Sequence, residues 1–260
     1  TSSLAMRPLA GNSGRLLRRW CVTALRATPH PEQLFSAERR VLVPKAASAW
    51  PRLEAAAAEL LRWNDKINVI SRKDFDAETL VARHYMPSLA LLNLEEVRVD
   101  SGRVLDVGTG GGFPGLPLAL ACPDAEFTLA DGRGKKITVV RACADAAGAN
   151  NVRALHGRVP RDVPRRHFDL VLGRAVAPLR PFLKAVAPVL RPNDGGGVLY
   201  IKGGDLRDEL ADLQLTPRVD VSVNALLPSD DGDDRDDDKR VVFFPTADVL
   251  RLFASSSSSS

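Results

Sequence analysis

From residue 103 onward, short apolar runs alternate with helical stretches, and few folds accommodate that alternation. Arg103–Val107, Glu126–Ala130, Val152–Leu155, Phe168–Leu172 and Val198–Ile201 have the length and composition of strands. Helical stretches are expected between and after them, near Pro114–Ala121, Lys135–Ala147, Pro178–Leu190 and Leu206–Leu213. Strand, helix, strand, helix predicts a parallel sheet covered on both faces. Residues 217–224 and 240–244 predict a final antiparallel hairpin at one edge. The expected fold class is therefore α/β, Rossmann-like, with a mostly parallel seven-stranded sheet and helices on both faces.

Upstream of the sheet, residues 46–100 read as a helical extension. Pro51 suits a first turn, the Ala55–Ala58 run has high helix propensity, and Pro87 kinks or divides a second helix near Asp76–Leu92. Residues 1–45 hold eight basic residues against Glu32 and Glu38, with no acid before Glu32. Arg-rich, acid-poor and able to form an amphipathic helix over Gly14–Ala27, they have the composition of an organelle transit peptide, or of a basic arm that touches RNA. The sheet domain is expected over 101–250, with an acidic loop at 229–238 carrying seven Asp and one Arg. Such a density of like charge predicts a solvated loop; a calcium loop would want a closing Glu, which is absent. Residues 251–260 read as a low-complexity tail. Cys21, Cys122 and Cys143 form no CxxC pair, and the four histidines show no ligand spacing, so no metal is expected. No apolar run approaches the ~18–20 residues of a membrane span.

The most informative segment is Val104-Leu-Asp-Val-Gly-Thr-Gly-Gly-Gly-Phe-Pro-Gly115. Its glycines allow a tight turn and a close ligand approach at the carboxyl end of the first strand, where parallel sheets bind cofactors. Asp131, ending the second strand, can accept hydrogen bonds from both ribose hydroxyls of a nucleoside. Gly110-x-Gly112-x-x-Gly115 also matches the dinucleotide fingerprint. Two features favour S-adenosylmethionine. Asp106 would attract a cationic ligand end and repel a pyrophosphate, and no separate substrate domain follows the sheet.

Further motifs follow the same order along the chain. They include Leu61-x-Trp63-Asn64-x-Lys66-Ile67-Asn68, His84-x-x-x-Ser88-Leu89, Asp106 to Pro117, and Lys135-Lys136. His156-Gly157-Arg158, Arg174-Ala175-Val176 and Lys202-Gly203 complete the series. Over about residues 55–245 the chain resembles the RsmG (GidB) family of 16S rRNA guanine-N7 methyltransferases. The resemblance implies S-adenosylmethionine as cofactor, small-subunit rRNA as partner and a monomer; joined to the basic leader it points to an organelle ribosome, the plastid favoured, with the mitochondrion or a bacterial-type cytoplasm as the alternatives. It further implies that Gly108, Gly110 and Phe113 contact the cofactor, that Ala130, Asp131 and Gly132 hold its ribose, and that Val159 and Pro160 flank its adenine. Arg174 and Lys202 would lie at the methyl-transfer site. The chain departs from the family at Pro160, where an acid is usual, at Pro87 in place of Asp, and at Gly132 in place of Ser or Thr. A basic stretch after the last strand is also missing.

Guanine N7 carries a lone pair and no proton at neutral pH, so its methylation requires orientation and no general base. After the fourth strand the chain reads Gly173-Arg174-Ala175-Val176, which lacks the Asn/Asp-Pro-Pro-aromatic motif of amino-methylating enzymes. Arg133, Lys135, Lys136, Arg158, Arg174, Arg180 and Lys202 are the candidate phosphate contacts. Two other functions fit the same residues: an NAD(P)-dependent oxidoreductase, and a non-catalytic ribosome-assembly factor. The net charge of +4 argues for none of the three. Residues 1–45 carry +6 of it and the acidic loop carries −6, so a nucleic-acid role rests on local placement of cations.

Overall fold

The apolar runs form one seven-stranded sheet in the computed structural model, which describes residues 34–70, 76–227 and 239–254. The strands are β1 (Gly102–Val107), β2 (Ala125–Asp131), β3 (Val152–His156), β4 (Leu170–Arg174), β5 (Gly197–Lys202), β6 (Val219–Ser222) and β7 (Arg240–Pro245). Their order is β3-β2-β1-β4-β5-β7-β6. β1 to β5 run parallel, and β7 lies antiparallel between β5 and β6, as the expected edge hairpin requires. The two-residue period of the strands divides their side chains between two cores. Leu170, Leu172, Leu199, Ile201 and Phe243 face one; Val171, Val198, Tyr200, Val242 and Phe244 face the other.

The helices are α1 (Ala37–Val41), α2 (Trp50–Asn64), α3 (Ala77–Leu80), α4 (Met86–Leu89), α5 (Gly115–Ala121), α6 (Gly134–Ala146), α7 (Leu179–Val186), α8 (Arg207–Leu213), α9 (Val223–Leu226) and α10 (Thr246–Ala254). The first core joins the sheet to α5, α6 and the N-terminal helical extension; the second joins it to α7, α8 and α10. α10 was not foreseen in the sequence, where residues 251–260 read as tail. Its Val249 is fully buried against the second core, so order continues to Ala254.

α2 buries Trp50, Leu53, Ala56, Ala57 and Leu60 along one face, at the spacing of a half-buried helix. From its first turn, Arg52 donates to the carbonyls of Leu120 (3.3 Å), Ala147 (3.1 Å) and Gly148 (3.1 Å). These carbonyls lie at the C-terminal ends of α5 and α6, where intrahelical donors run out. Residues 77–93 wind through α3, a π-helical turn at Val81–Tyr85, α4 and a 3-10 turn at Ala90–Asn93. The expected kink at Pro87 thus takes the form of a change in winding. Pro87 has no N–H to offer the carbonyl four residues earlier, that of Arg83.

The boundary at residue 45 needs correction. Leu34 and Phe35 are buried, α1 is helical, and the segment is folded onto the extension. The buried carboxylate of Glu54 explains this. It accepts the N–H groups of Leu34 (3.1 Å) and Phe35 (3.0 Å) and pairs with Arg40 (3.0 Å). Arg39 pairs with Glu78. Two arginines counted toward a basic leader therefore have acidic partners far along the chain. The expected transit residues before 34, the acidic segment 229–238 and the serine run lie outside the described residues.

Phe35 packs on Trp50 and Tyr85, with both ring centroids at 5.4 Å. Phe35→Ala should cost about 3 kcal/mol of stability. Urea denaturation of the full chain measures it; a midpoint equal to that of the natural sequence would contradict the corrected boundary.

Candidate active site

β1 is flanked by β2 on one side and β4 on the other, and the chain leaves it first outward through β2 and β3, then crosses to β4 and β5. The crevice at the carboxyl end of β1 is thus the switch point where parallel sheets take ligands. The glycine loop fills its floor. Gly108 turns at φ +69° and Gly110 at φ +60°, a region that L side chains avoid. The N–H groups of Gly108 (2.8 Å) and Thr109 (3.0 Å) both donate to the carbonyl of Ala130 on β2.

Two carboxylates brace this loop. Asp106, fully buried, accepts from Thr109 Oγ1 (2.6 Å) and the Gly115 N–H (2.9 Å) through one oxygen. It thereby ties the end of β1 to the start of α5. A Cβ on Gly115 would come within 2.8 Å of that oxygen, so the position is closed to any side chain. The second oxygen of Asp106 is buried without a hydrogen-bond partner. Burial lifts its carboxyl to about 6, against the opposing pull of Thr109, Gly115 and the Arg174 guanidinium. Asp131 braces the loop from the other strand. Its two oxygens accept the Gly110 N–H (3.0 Å) and the Arg133 N–H (2.8 Å).

The remaining expected site residues fall along the carboxyl edge of the sheet. Ala130 is buried and presents its carbonyl to the loop. Gly132 is exposed, with the Arg158 stem 3.6 Å from where a Cβ would stand. Val159 is half-buried against the second core and Pro160 is exposed beyond it. Asp162 accepts the Arg158 N–H (2.8 Å) and pairs with Arg161, which holds its carboxyl down to about 2. Phe113 is buried, its ring 5.1 Å from Tyr85 and 5.2 Å from His84. That ring ties the loop to the helical extension. Asn64, from the Trp63-Asn64 motif, accepts the N–H groups of Val69 and Ile70 (3.0 Å each), and Ile70 sits against Gly111.

Arg174 ends β4 and donates to the Arg83 carbonyl at 2.8 Å, the group left without its usual donor by Pro87. Lys202 ends β5 and pairs with Glu209, which also accepts the Leu179 N–H (2.8 Å). Burial opposes ionisation of Glu209, but Lys202 and that N–H outweigh it and hold its carboxyl low. The structure thus gathers Gly108, Gly110, Ala130, Asp131, Gly132 and Arg174 around one crevice. Lys202 lies one strand further, and Val159 and Pro160 lie beyond β3. Sequence reasoning passed over Tyr200, whose hydroxyl grips the loop after β4. A tyrosine inside an apolar strand carries no signal that separates it from core.

The raised Asp106 carboxyl makes folding take up a proton between 3.8 and about 6, so its contribution to stability falls as pH rises through that window. Asp106→Asn should remove the slope. The stability of the variant relative to the natural chain should grow by on the order of 3 kcal/mol between about pH 4 and about pH 7. Urea unfolding at four pH values checks it; parallel curves would show that Asp106 does not titrate there.

Comparison with known proteins agrees with this architecture. A sequence model of the GidB family, described as rRNA small subunit methyltransferase G, matches residues 50–235. The ribosomal RNA small subunit methyltransferase G of Cytophaga hutchinsonii is 41% identical over 187 residues, covering 70% of this chain and 86% of that protein. Its namesake in Bacteroides fragilis is 42% identical over 160 residues, covering 60% and 75%. That of Chlorobium luteolum is 44% identical over 155 residues, covering 59% and 63%. The Asp106–Gly115 loop, Asp131 and Arg174 all lie inside the matched span, and the chain belongs to the GidB family of rRNA small subunit methyltransferases.

Proposed function

We propose that this protein uses S-adenosylmethionine to methylate N7 of a guanine in small-subunit rRNA. The observation that carries the reading is Asp131, set at the end of β2 beside a loop whose glycines leave no Cβ in the way. Each carboxylate oxygen there has spent one acceptor site on a backbone N–H and keeps another. A nucleoside's ribose hydroxyls suit those remaining sites. Asp106 beneath the loop adds a second acid, which suits a cationic ligand and disfavours a pyrophosphate.

When bound, S-adenosylmethionine supplies a methyl group on a positively charged sulfur. The chain's own task is to hold a purine facing that group. Because N7 brings a free lone pair, the residues need not remove a proton, and those at the crevice serve orientation. Arg174 is committed to the Arg83 carbonyl and Lys202 to Glu209, which supports positioning roles for both. Arg180 pairs with Asp212. Arg133, Lys135, Lys136 and Arg158 make no ion pair among the described residues and flank the crevice on the β2–β3 side, which favours them as phosphate contacts. The acid-poor, Arg-rich composition before Glu32 supports delivery to an organelle, and a bacterial-type rRNA enzyme with such a leader favours the plastid ribosome over the mitochondrial one.

Asp131→Ala should weaken binding of S-adenosylhomocysteine by about tenfold or more while changing rRNA affinity by less than about twofold, as calorimetry and filter binding would read. Equal cofactor affinity in the two proteins would remove the ribose role. The reading as a whole is tested by mapping N7-methylguanine in small-subunit rRNA from cells lacking the protein. An unchanged methylation profile would overturn it.

A further inference from the structure

We infer that Val176 is the apolar surface against which the target purine packs, and that Tyr200 is the positioning residue that holds it there. The inference rests on the methyl-transfer reading above and adds to it the residues that present the substrate base. Among the described residues only two large hydrophobic side chains are exposed, Val41 and Val176, and Val176 is 41% exposed. It stands at the switch point, immediately after β4. Its methyl groups come within 3.0 and 3.3 Å of where a Cβ on Gly108 would be, so it overhangs the glycine loop from the β4 side.

The chain holds that side chain in place by unusual means. Ala175 adopts φ +51°, a left-handed conformation that alanine seldom takes. Tyr200, fully buried on β5, spends its whole hydroxyl on the same loop. It accepts the N–H groups of Val176 (2.8 Å) and Ala177 (3.0 Å) and donates to the Ala177 carbonyl (2.7 Å). Its ring lies tilted against that of Phe182, the centroids 4.6 Å apart, and both rings occupy the space a Cβ on Gly173 would need. A strained turn and three hydrogen bonds thus fix a small hydrophobic group in water, at the mouth of the site.

The chemistry of the reaction gives that group a purpose. N7 attacks through its in-plane lone pair, so the base must be held by its face while its edge stays open to the methyl group. An isopropyl group offers dispersion contact to the flat face of the base and no donor.

The test is methyl transfer from tritiated S-adenosylmethionine to unmethylated small ribosomal subunits by the full chain, together with S-adenosylhomocysteine affinity. Val176→Ser should lower kcat/KM for the ribosomal substrate by about tenfold and leave S-adenosylhomocysteine affinity within about twofold. Val176→Leu, which keeps the surface apolar, should retain at least about half of the natural rate. Tyr200→Phe should reproduce the Val176→Ser defect, and the double variant should lose little more than the worse single one. A Val176→Ser protein as active as the natural chain would overturn the inference while leaving the methyltransferase reading intact. So would a loss of cofactor affinity as large as the loss in turnover. Both outcomes hold whether or not Tyr200→Phe folds. No transfer by the natural chain would overturn the methyltransferase reading and, with it, this inference.

Discussion

A carboxyl group without access to water sits at the turn from β1 into α5, and the site is organised around it. Asp106 binds the hydroxyl of Thr109 and the N–H of Gly115 through a single oxygen, which closes the glycine loop into a fixed shape. The fit leaves no room for a side chain at Gly115, against which Leu129 of β2 also packs. Asp131 completes the arrangement by holding Gly110 from the neighbouring strand. A loop rich in glycine would otherwise be costly to order, because glycine gives up more backbone freedom than other residues. Here two acids from adjacent strands supply the ordering, and the ligand does not have to.

The electrostatics follow the same division of labour. On the β4–β5 side Lys202 pairs with Glu209 and Arg180 with Asp212, while Arg174 donates to a neutral carbonyl and its charge acts on Asp106. On the β2–β3 side, Arg133, Lys135 and Lys136 form no ion pair among the described residues, and Arg158 meets only Asp162, which is already paired with Arg161. A protein whose net charge says little about its ligand can still present one positive flank to a polyanion. The uncommitted cations lie on the β2–β3 flank, whereas Val176 overhangs the crevice from the opposite side.

Much of this was legible from residue order alone. The central strands β1, β2, β4 and β5 follow from apolar runs, because a strand covered on both faces must be largely apolar along its length. The final hairpin followed from its period and its placement after the last crossover. Asp106 and Asp131 were legible because a strand that ends in acid and glycine has few structural uses. What escaped were partners distant in sequence. Arg39 and Arg40 looked like leader residues because Glu78 and Glu54 lie far downstream. Phe113 was legible as a residue of the loop, but not that its ring meets Tyr85 and His84, about thirty residues before it. Tyr200 escaped because a hydroxyl on a core strand reveals its role only through the loop it reaches.

Pro87 shows how a local deficit becomes a long-range tie. A ring without an N–H leaves the Arg83 carbonyl short of a donor, and the guanidinium at the end of β4 supplies one. That bond spans the helical extension and the catalytic sheet, so the two share free energy and cannot be displaced independently. Loss of either partner, the Arg83 carbonyl's place in the winding or the Arg174 side chain, removes the same tie. The extension is therefore part of the frame that holds the end of β4, and not an appendage to the sheet.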